Sequence, residues 1–329
     1  MTKPQRQEDT KECRALVRLE SSLGLQSEPL LQKFGLKPET TLSTMQWDTL
    51  NVRHFDLAAT LDSGQVFHWH RDGEMFCGMI GNEPVSLQQR DAETLLVSQG
   101  SGPLVSHYLG LDHDFAAIRK TLPKRDKPLQ QALKYAPGLR ILRQPKWECL
   151  ATFITSSLKQ VPHIRKISLT LRARFGEPVR TTEHDIVLYS YPTPHALAQA
   201  GEKALRECGL GYRAKFLHLT AKRIVDGEMD LEKVGALDDE AACEALCLLP
   251  GVGEKIANCV LLFGYGRLGA FPIDVWIERA LREFYFAGSM EVTSRQLREF
   301  AHEHFGPYRG YAQQWLFHHA RTSGLFTKR

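Results

Sequence analysis

The sequence predicts an α+β protein in which an N-terminal antiparallel β-sheet domain packs on an all-α core. From Trp47 to about Gly102, short apolar and polar runs alternate and are bounded by turn residues, as in half-buried strands. From about Leu129 onward, apolar residues recur at helical spacing instead. The 329 residues are enough for two or three domains with a sizeable core.

The sheet is predicted from one hairpin and two further strands. Gly64–His70 and Glu74–Ile80 flank Arg71-Asp72-Gly73, a sequence typical of a tight hairpin turn. Val85–Leu87 and Thr94–Ser98 are short apolar runs that we expect to pair beside this hairpin.

Nine helices are predicted after the sheet. Asp238 precedes one of them as an N-cap, and Thr293 with Gln296 has the spacing of a capping box before another. The breakers Tyr191-Pro192-Thr193-Pro194 and Phe305-Gly306-Pro307 separate neighbouring helices. The predicted helices are Trp147–Lys159, Ile164–Phe175, His195–Cys208, Ala214–Asp226, Asp239–Leu249, Lys255–Phe263, Val275–Phe286, Arg295–Phe305 and Tyr311–Ser323.

These patterns divide the chain into three parts. Residues 1–44 have mixed charge and no recognised motif, so we interpret them as an N-terminal extension, with Met45 as an alternative start. Residues 45–125 form the predicted sheet domain, and residues 126–329 form the predicted helical domain.

Composition and charge exclude several functional classes. The mean hydropathy is −0.30 and no apolar run is long enough to span a bilayer, so no membrane role is expected. The N-terminus lacks an apolar signal core, which predicts a protein that is not secreted: nucleoid-associated in the cytoplasm of a bacterium, nuclear in a eukaryote. Residues 1–125 contain 14 Lys/Arg and 16 Asp/Glu, whereas residues 126–329 contain 28 and 22. The basic excess of the second part is compatible with phosphate binding.

Seven cysteines are scattered along the chain, an odd number that favours reduced thiols over a disulfide framework. Cys243, Cys247 and Cys259 alone make a poor metal site, and no cysteine follows Cys259. We therefore expect no metal ion, iron–sulfur cluster or other cofactor.

The most informative stretch is Leu-Leu-Pro-Gly-Val-Gly-Glu-Lys at residues 248–255. Gly251 and Gly253 permit a tight turn, and the amides that open the next helix can face a phosphate. Lys255 lies on the first turn of that helix, and Asp274 follows nineteen residues later where another helix begins. Alone, Lys255 is typical of a surface lysine and Asp274 of an N-cap. Together they predict an amine nucleophile and a carboxylate beside a DNA backbone.

The chain resembles the 8-oxoguanine DNA glycosylases of the helix-hairpin-helix, Gly-Pro-Asp glycosylase superfamily. The resemblance extends from about Asp48 to the C-terminus and therefore includes both predicted domains. Its most specific stretches are Ser63–Trp69, Gly209–Ala214, Pro250–Lys255, Pro272–Val275 and Gly306–Gln313. It implies a helix-hairpin-helix glycosylase core and a bifunctional DNA glycosylase/AP lyase. Such an enzyme flips out and excises 8-oxoguanine from duplex DNA and then nicks the strand. The expected partner is double-stranded DNA containing an oxidised purine, and the expected state is a monomer.

The resemblance also assigns the chemistry. It implies that Lys255, in its neutral form, attacks C1′ of the damaged nucleotide, while Asp274 stabilises the positive charge that develops on the sugar. The helix N-terminus at Asp274 is expected to help keep this carboxylate ionised. The resulting Schiff base acidifies C2′ and permits β-elimination.

Four further residues are matched to recognition of the base. The carbonyl of Gly64 corresponds to the acceptor for the N7 hydrogen that 8-oxoguanine has and guanine lacks. Gln313 corresponds to the residue that bonds the Watson–Crick edge, Phe317 to the stacking ring, and Cys259 to the residue on the other face of the base. Taken singly, each has an ordinary explanation as a turn, surface or core residue.

The DNA-contacting positions agree with the family in part. Tyr212 and Arg213 match the pair that wedges the duplex and contacts the orphaned partner base. Leu158 and His163 stand where the family has an asparagine and a cytosine-reading arginine, and Trp276 replaces a histidine. These departures leave opposite-base selectivity and one phosphate contact open.

Two alternatives remain. A related glycosylase with a different lesion preference shares the fold, although monofunctional alkylpurine enzymes lack the lysine, so Lys255 argues against them. A non-catalytic DNA-binding hairpin protein needs the two hairpin glycines but has no use for Lys255, Asp274 and Gln313 together.

Overall fold

The computed structural model describes residues 46–156, 160–180 and 186–326. An antiparallel five-stranded sheet lies at the N-terminal side, with the strand order β1-β5-β4-β3-β2. Every strand except β1 therefore pairs with its neighbour in sequence, and β1 closes the far edge against β5. The strands are β1 (Trp47–Asn51), β2 (His70–Asp72), β3 (Met75–Ile80), β4 (Glu83–Asp91) and β5 (Thr94–Ser98).

The predicted hairpin is present, but its first strand is shorter than expected. Only His70–Asp72 pairs with β3, and the two-residue turn contains Gly73 at φ +60°. Residues 64–69 form a buried irregular segment instead of a strand. The physical reason is that side-chain hydrogen bonds take the place of the backbone hydrogen bonds that a paired strand would make. Gln65 Nε2 donates to the Arg140 carbonyl at 2.7 Å, and Gln65 Oε1 accepts from the Leu142 N–H at 2.9 Å.

The described helices include all nine that were predicted, together with five short ones that were not. The unpredicted helices span five to nine residues each, too short for a clear helical period. The helices are α1 (Leu57–Leu61), α2 (Gly102–Tyr108), α3 (Phe115–Thr121), α4 (Lys127–Tyr135), α5 (Lys146–Ser156), α6 (Val161–Phe175), α7 (Pro194–Leu205), α8 (Arg213–Val225), α9 (Leu231–Gly235), α10 (Asp239–Cys247), α11 (Glu254–Phe263), α12 (Val275–Tyr285), α13 (Ser294–Phe305) and α14 (Arg309–Thr322).

Two details of the helical part differ from the prediction. It is not entirely α-helical, because β6 (Pro178–Arg180) and β7 (Val187–Tyr189) form a two-stranded antiparallel ribbon. The helix predicted at residues 195–208 is interrupted, since Gly201 has φ +76° and a π-helical turn, Arg206–Leu210, follows α7.

The predicted caps are confirmed. Asp238 accepts a hydrogen bond from the N–H of Ala241 at 2.8 Å and so starts α10. Thr293 and Gln296 form a complete capping box at the start of α13.

Two hydrophobic cores hold the molecule together, one under the sheet and one within the helices. Each core contains a residue from the other part of the chain. Phe67, from the segment before β2, is buried in the helical core, whereas Leu142 is buried in the sheet core. Residues 64–69 therefore lie where the two cores meet. None of the helices in the described ranges is both long and apolar enough to cross a membrane.

Candidate active site

The hairpin turn, residues 248–253, connects α10 to α11 and leaves the start of α11 open. Gly251 has φ +75°, and a Cβ there would lie 2.7 Å from side-chain atoms of Phe216, so this position requires glycine. Gly253 is exposed, and a Cβ there would meet no atom within 4 Å. Gly253 is also the N-cap of α11, and no side chain caps that helix. Open N–H groups at a helix N-terminus form a favourable site for a phosphate.

The predicted wedge pair lies beside this turn. Tyr212 is half exposed, and its ring meets Phe216 edge-on with 6.0 Å between centroids. Phe216 in turn contacts the position of Gly251, so one ring joins the wedge to the hairpin turn. The Arg213 guanidinium lies 4.3 Å from the Tyr212 ring centroid and donates to the Leu210 carbonyl at 3.4 Å. Arg213 is therefore held against the protein in this conformation.

Lys255 lies on the first turn of α11 and points towards α5. Its Nζ is 5.5 Å from the centroid of the Phe153 ring, which α5 supplies. Phe153 stacks on Phe263 at 5.5 Å and meets Phe67 edge-on at 6.1 Å. The amine is half-buried and lies over an aromatic surface that reaches back to the segment before β2.

Asp274 forms the N-cap of α12, as the sequence alone also allowed. Its Oδ1 accepts from the N–H of Trp276 at 3.1 Å and of Ile277 at 2.9 Å. Burial raises the pKa of this carboxyl above its ordinary value, and it outweighs the two N–H donors and the Lys255 ammonium, which act in the opposite direction. The helix N-terminus thus favours the ionised form, as expected, but desolvation is the larger effect.

Cys259 interacts electrostatically with both proposed catalytic groups, Lys255 and Asp274. It lies one turn after Lys255 on α11, and burial raises the pKa of its thiol to about 11. The Lys255 ammonium opposes this shift and the Asp274 carboxylate adds to it, so the three side chains lie close enough to influence one another. Within the described ranges, no group of three or more His, Cys, Asp or Glu side chains is arranged to hold a metal ion.

The loop Asp62–Gln65, which we name the base-reading loop for the role that the resemblance implies, has three carbonyls that accept hydrogen bonds from side chains and one, that of Gly64, that accepts none from the described residues. The Asp62 carbonyl accepts from Arg321 Nη2 at 2.9 Å, and the Ser63 carbonyl accepts from Gln314 Nε2 at 3.2 Å. The Gln65 carbonyl accepts from Gln144 Nε2 at 2.8 Å. Among the described residues, no donor reaches the carbonyl of Gly64. A fixed acceptor without a partner is suited to an N–H group of a ligand.

Phe317 and Gln313 lie on α14 beside this loop. Gly64 has φ +87°, and a Cβ there would lie 3.1 Å from Phe317 Cε1 and 3.7 Å from Val161 Cγ2. Gly64 and Phe317 therefore line the same space. Gln313 is 4% exposed, and its Oε1 is buried without a hydrogen-bond partner in the part of the chain that the structure describes. A buried amide oxygen of this kind can accept a bond from a bound base.

The sequence departs from the family at Leu158, His163 and Trp276. Leu158 lies outside the described residues. His163 is exposed on the first turn of α6, two residues after Val161, which borders the space at Gly64. Trp276 packs near Phe326, with 6.4 Å between ring centroids.

The side chains whose hydrogen bonds fix the base-reading loop were not identified from the sequence. Gln65, Gln144, Gln314 and Arg321 bond carbonyls of neighbouring or distant segments, and they come from three separate stretches of the chain. Only Gln65 lies within a stretch that the sequence had singled out. A glutamine or arginine within an otherwise apolar stretch indicates a buried polar side chain. It does not indicate which carbonyl that side chain bonds.

The chain matches two family models that together span most of its described length. Residues 49–150 match 8-oxoguanine DNA glycosylase, N-terminal domain, and residues 152–303 match the HhH-GPD superfamily base excision DNA repair protein. The division falls within α5.

Named relatives agree with these models. The chain is 32% identical to a probable N-glycosylase/DNA lyase of Methanothermobacter thermautotrophicus over 223 residues, which span 62% of this chain and 70% of the relative. It is 30% identical to the N-glycosylase/DNA lyase of Saccharomyces cerevisiae over 279 residues, 76% of this chain and 73% of the relative. Among solved structures, the 8-oxoguanine glycosylase/lyase of Clostridium acetobutylicum, bound to double-stranded DNA with cytosine opposite 8-oxoguanine, is 31% identical. It superposes with a TM-score of 0.79 and covers 87% of this chain and all of that one.

Proposed function

The chain belongs to the 8-oxoguanine DNA glycosylase family, the N-glycosylase/DNA lyases of the HhH-GPD superfamily, and from this membership we propose that it excises 8-oxoguanine from duplex DNA and then cleaves the strand. The observation that carries the proposal is the clustering of Lys255, Asp274 and Cys259, with an amine and a carboxylate that influence each other in a half-buried site. The proposed substrate is double-stranded DNA, on which the protein acts as a monomer in the nucleoid or the nucleus.

In the first step the neutral Lys255 amine attacks C1′ of the flipped nucleotide. The nitrogen lone pair forms the new N–C1′ bond while the bond between C1′ and the base breaks, and its electron pair leaves with the base, which takes up a proton. Positive charge develops on the sugar during this step. A carboxylate at Asp274 stabilises that charge in a site where burial has weakened competition from water.

In the second step the sugar ring opens to a Schiff base between Lys255 and C1′. The imine acidifies C2′, so that loss of a C2′ proton breaks the C3′–O bond and nicks the strand. Water then hydrolyses the imine and releases the enzyme. The lysine therefore supplies both activities, and no cofactor is required for the electron balance of either step.

Base selection is assigned to the space between the base-reading loop and α14. We assign the Gly64 carbonyl as acceptor for the N7 hydrogen of 8-oxoguanine, the Phe317 ring as the stacking surface and Gln313 as partner of the Watson–Crick edge. Neither the Gly64 carbonyl nor Gln313 Oε1 has a hydrogen-bond partner among the described residues, and this supports the assignment. Guanine has no N7 hydrogen, so it leaves the carbonyl unpaired, which costs about 1–3 kcal/mol.

Duplex binding is assigned to the hairpin turn and the wedge. The open N-terminus of α11 binds a backbone phosphate, and Tyr212 with Arg213 wedges the duplex and contacts the orphaned partner base. For Arg213 to contact the partner base, its side chain must leave the Leu210 carbonyl and the Tyr212 ring.

The proposal is tested with duplexes that carry 8-oxoguanine, unmodified guanine, an alkylated purine or an abasic site, each incubated with the protein and borohydride. We expect excision and a trapped covalent complex with 8-oxoguanine, and a trapped complex with the abasic site. Excision of the alkylated purine in preference to 8-oxoguanine supports the related glycosylase with another lesion preference. Binding with neither excision nor trapping supports the non-catalytic hairpin protein.

A further inference from the structure

Arg321 lies on α14, one turn after Phe317, and contacts several parts of the base pocket at once. Its guanidinium carbon is 5.6 Å from the centroid of the Phe317 ring. Its Nη2 donates to the carbonyl of Asp62 at 2.9 Å, two residues before Gly64. Its Nε is buried and has no hydrogen-bond partner among the described residues. One arginine thus joins the stacking ring to the base-reading loop.

Among the described residues, the bond to the Asp62 carbonyl is one of two hydrogen bonds that α14 makes with this loop. Gln314, seven residues before Arg321 and therefore on the same helical face, donates to the Ser63 carbonyl. The two carbonyls before Gly64 are consequently fixed by the helix that carries Phe317 and Gln313. The distance between the Gly64 carbonyl and the Phe317 ring, which sets where a flipped base can lie, depends on these two side chains.

The charge of Arg321 also interacts with that of Asp274, one of the two proposed catalytic residues. The carboxylates of Asp62 and Asp274 both favour its charged form, while burial acts against it. Arg321 is therefore hydrogen-bonded to the base-reading loop and interacts electrostatically with the carboxylate assigned to charge stabilisation. A guanidinium combines a fixed fork of donors with a permanent charge, and lysine offers the charge without the fork.

We propose that Arg321 is a specificity-determining positioning residue, which sets the Gly64 carbonyl and the Phe317 ring at the spacing that an oxidised purine requires. It acts through these two groups, and the expected ligand is the flipped 8-oxoguanine base. This inference rests on the proposed function, because it assigns a role within the base pocket. It predicts that Arg321 matters for removal of a base and much less for cleavage where the base is already absent.

The test compares Arg321→Met, which keeps an unbranched apolar stem, with Arg321→Lys, which keeps a cation and a donor for the Asp62 carbonyl. Single-turnover excision of 8-oxoguanine and cleavage at a preformed abasic site are measured for each. We expect Arg321→Met to lower excision by roughly tenfold or more and abasic-site cleavage by about twofold or less, with Arg321→Lys recovering most of the excision. Arg71→Met is the matched control, since Arg71 contacts the Asp62 carboxylate, at 3.4 Å, and not the Asp62 carbonyl that Arg321 bonds. It should leave both rates unchanged.

A double-mutant cycle distinguishes positioning from a general loss of stability. If Arg321 acts through the base-reading loop, Arg321→Met should have about a twofold effect or less when Gly64→Ala is already present. Equal losses of excision and abasic-site cleavage, or full additivity with Gly64→Ala, would overturn the inference. Wild-type rates in Arg321→Met would overturn it as well. If the wild-type protein does not excise 8-oxoguanine, the proposed function itself fails, and that result is separate from any result with the variants.

Discussion

The base-reading loop and the hairpin turn are both built around a glycine that packs on an aromatic ring, but they have opposite hydrogen-bonding roles in the proposed function. Both contain a glycine with positive φ, Gly64 at +87° and Gly251 at +75°, and both place that glycine against an aromatic ring. In the proposed function, the Gly64 carbonyl of the base-reading loop accepts a hydrogen bond from a base, whereas N–H groups at the hairpin turn donate to a phosphate. The difference lies in what fixes them, and it determines which of the two the sequence reveals.

The hairpin turn is held both by its near neighbours and by side chains of α8. The N–H of Leu249 donates to the Leu246 carbonyl and the N–H of Val252 donates to the Leu249 carbonyl, each at 3.1 Å. Thr220 also donates to the Pro250 carbonyl at 3.2 Å, and Arg223 donates to the Leu248 carbonyl at 2.7 Å. The base-reading loop is held by side chains as far away as residue 321. The hairpin turn appears as a motif because some of its hydrogen bonds lie within its own sequence, whereas the base-reading loop depends on side chains up to 259 residues away.

After the loss of Lys255 itself, the largest expected effect concerns Asp274, which is fixed locally as a helix N-cap. Asp274→Asn keeps an oxygen acceptor for the N–H groups of α12 and so should preserve the fold. It removes the negative charge, and we expect single-turnover excision to fall roughly 100- to 1000-fold. Asp238→Asn, at the N-cap of α10, is the matched control and should leave the rate unchanged. Near wild-type excision by Asp274→Asn would show that Asp274 acts only as a structural helix cap.

The second prediction concerns the base-reading loop. Gly64→Ala places a Cβ 3.1 Å from Phe317 Cε1 at a φ of +87°, so the loop or the ring must move. We expect excision of 8-oxoguanine to fall roughly 5- to 150-fold, the cost of about 1–3 kcal/mol for an unsatisfied hydrogen bond. Cleavage at a preformed abasic site should change much less. Equal loss of both activities in a folded variant would show that Gly64 is purely structural.

The third prediction compares the two glycines of the hairpin turn. Gly251→Ala forces a Cβ to 2.7 Å from Phe216 at a φ of +75°, and should lower the free energy of unfolding by about 1–3 kcal/mol. Gly253→Ala meets no neighbouring atom and should leave stability unchanged. It should instead weaken duplex binding, because a methyl group now lies where a phosphate approaches. Denaturant unfolding and binding titrations measure both variants, and normal DNA binding by Gly253→Ala would argue against phosphate contact at this turn.

Much of the fold was predictable because its signals are local. The alternation at Val85–Leu87 and Thr94–Ser98, the cap at Asp238 and the helical periods all come from neighbouring residues. The strand predicted at Gly64–His70 was wrong over residues 64–69, since the Gln65 side chain replaces the strand pairing there. The roles of Lys255 and Asp274 came from a resemblance, whereas Arg321 required the three-dimensional contacts.

The smallest expected effect concerns the base opposite the lesion. A bidentate arginine contact discriminates by about 1–3 kcal/mol, or roughly tenfold to a hundredfold, and His163 cannot form that fork. We therefore expect excision rates opposite cytosine, adenine, guanine and thymine to lie within about tenfold of one another. Single-turnover rates on the four duplexes measure this. A preference for cytosine of about a hundredfold or more that persists in His163→Ala would place selectivity elsewhere, with Arg213 as the next residue to test.

The most direct test of the central claim is borohydride trapping with Lys255→Gln. Lys233, an exposed lysine paired with Asp230 on α9, provides the matched control as Lys233→Gln. We expect wild type and Lys233→Gln to form the covalent complex with 8-oxoguanine duplex. Lys255→Gln should form none and excise no base, while still binding the duplex, because the hairpin turn and the wedge remain. Excision and trapping at the wild-type level by Lys255→Gln would contradict the assignment of Lys255 as the nucleophile.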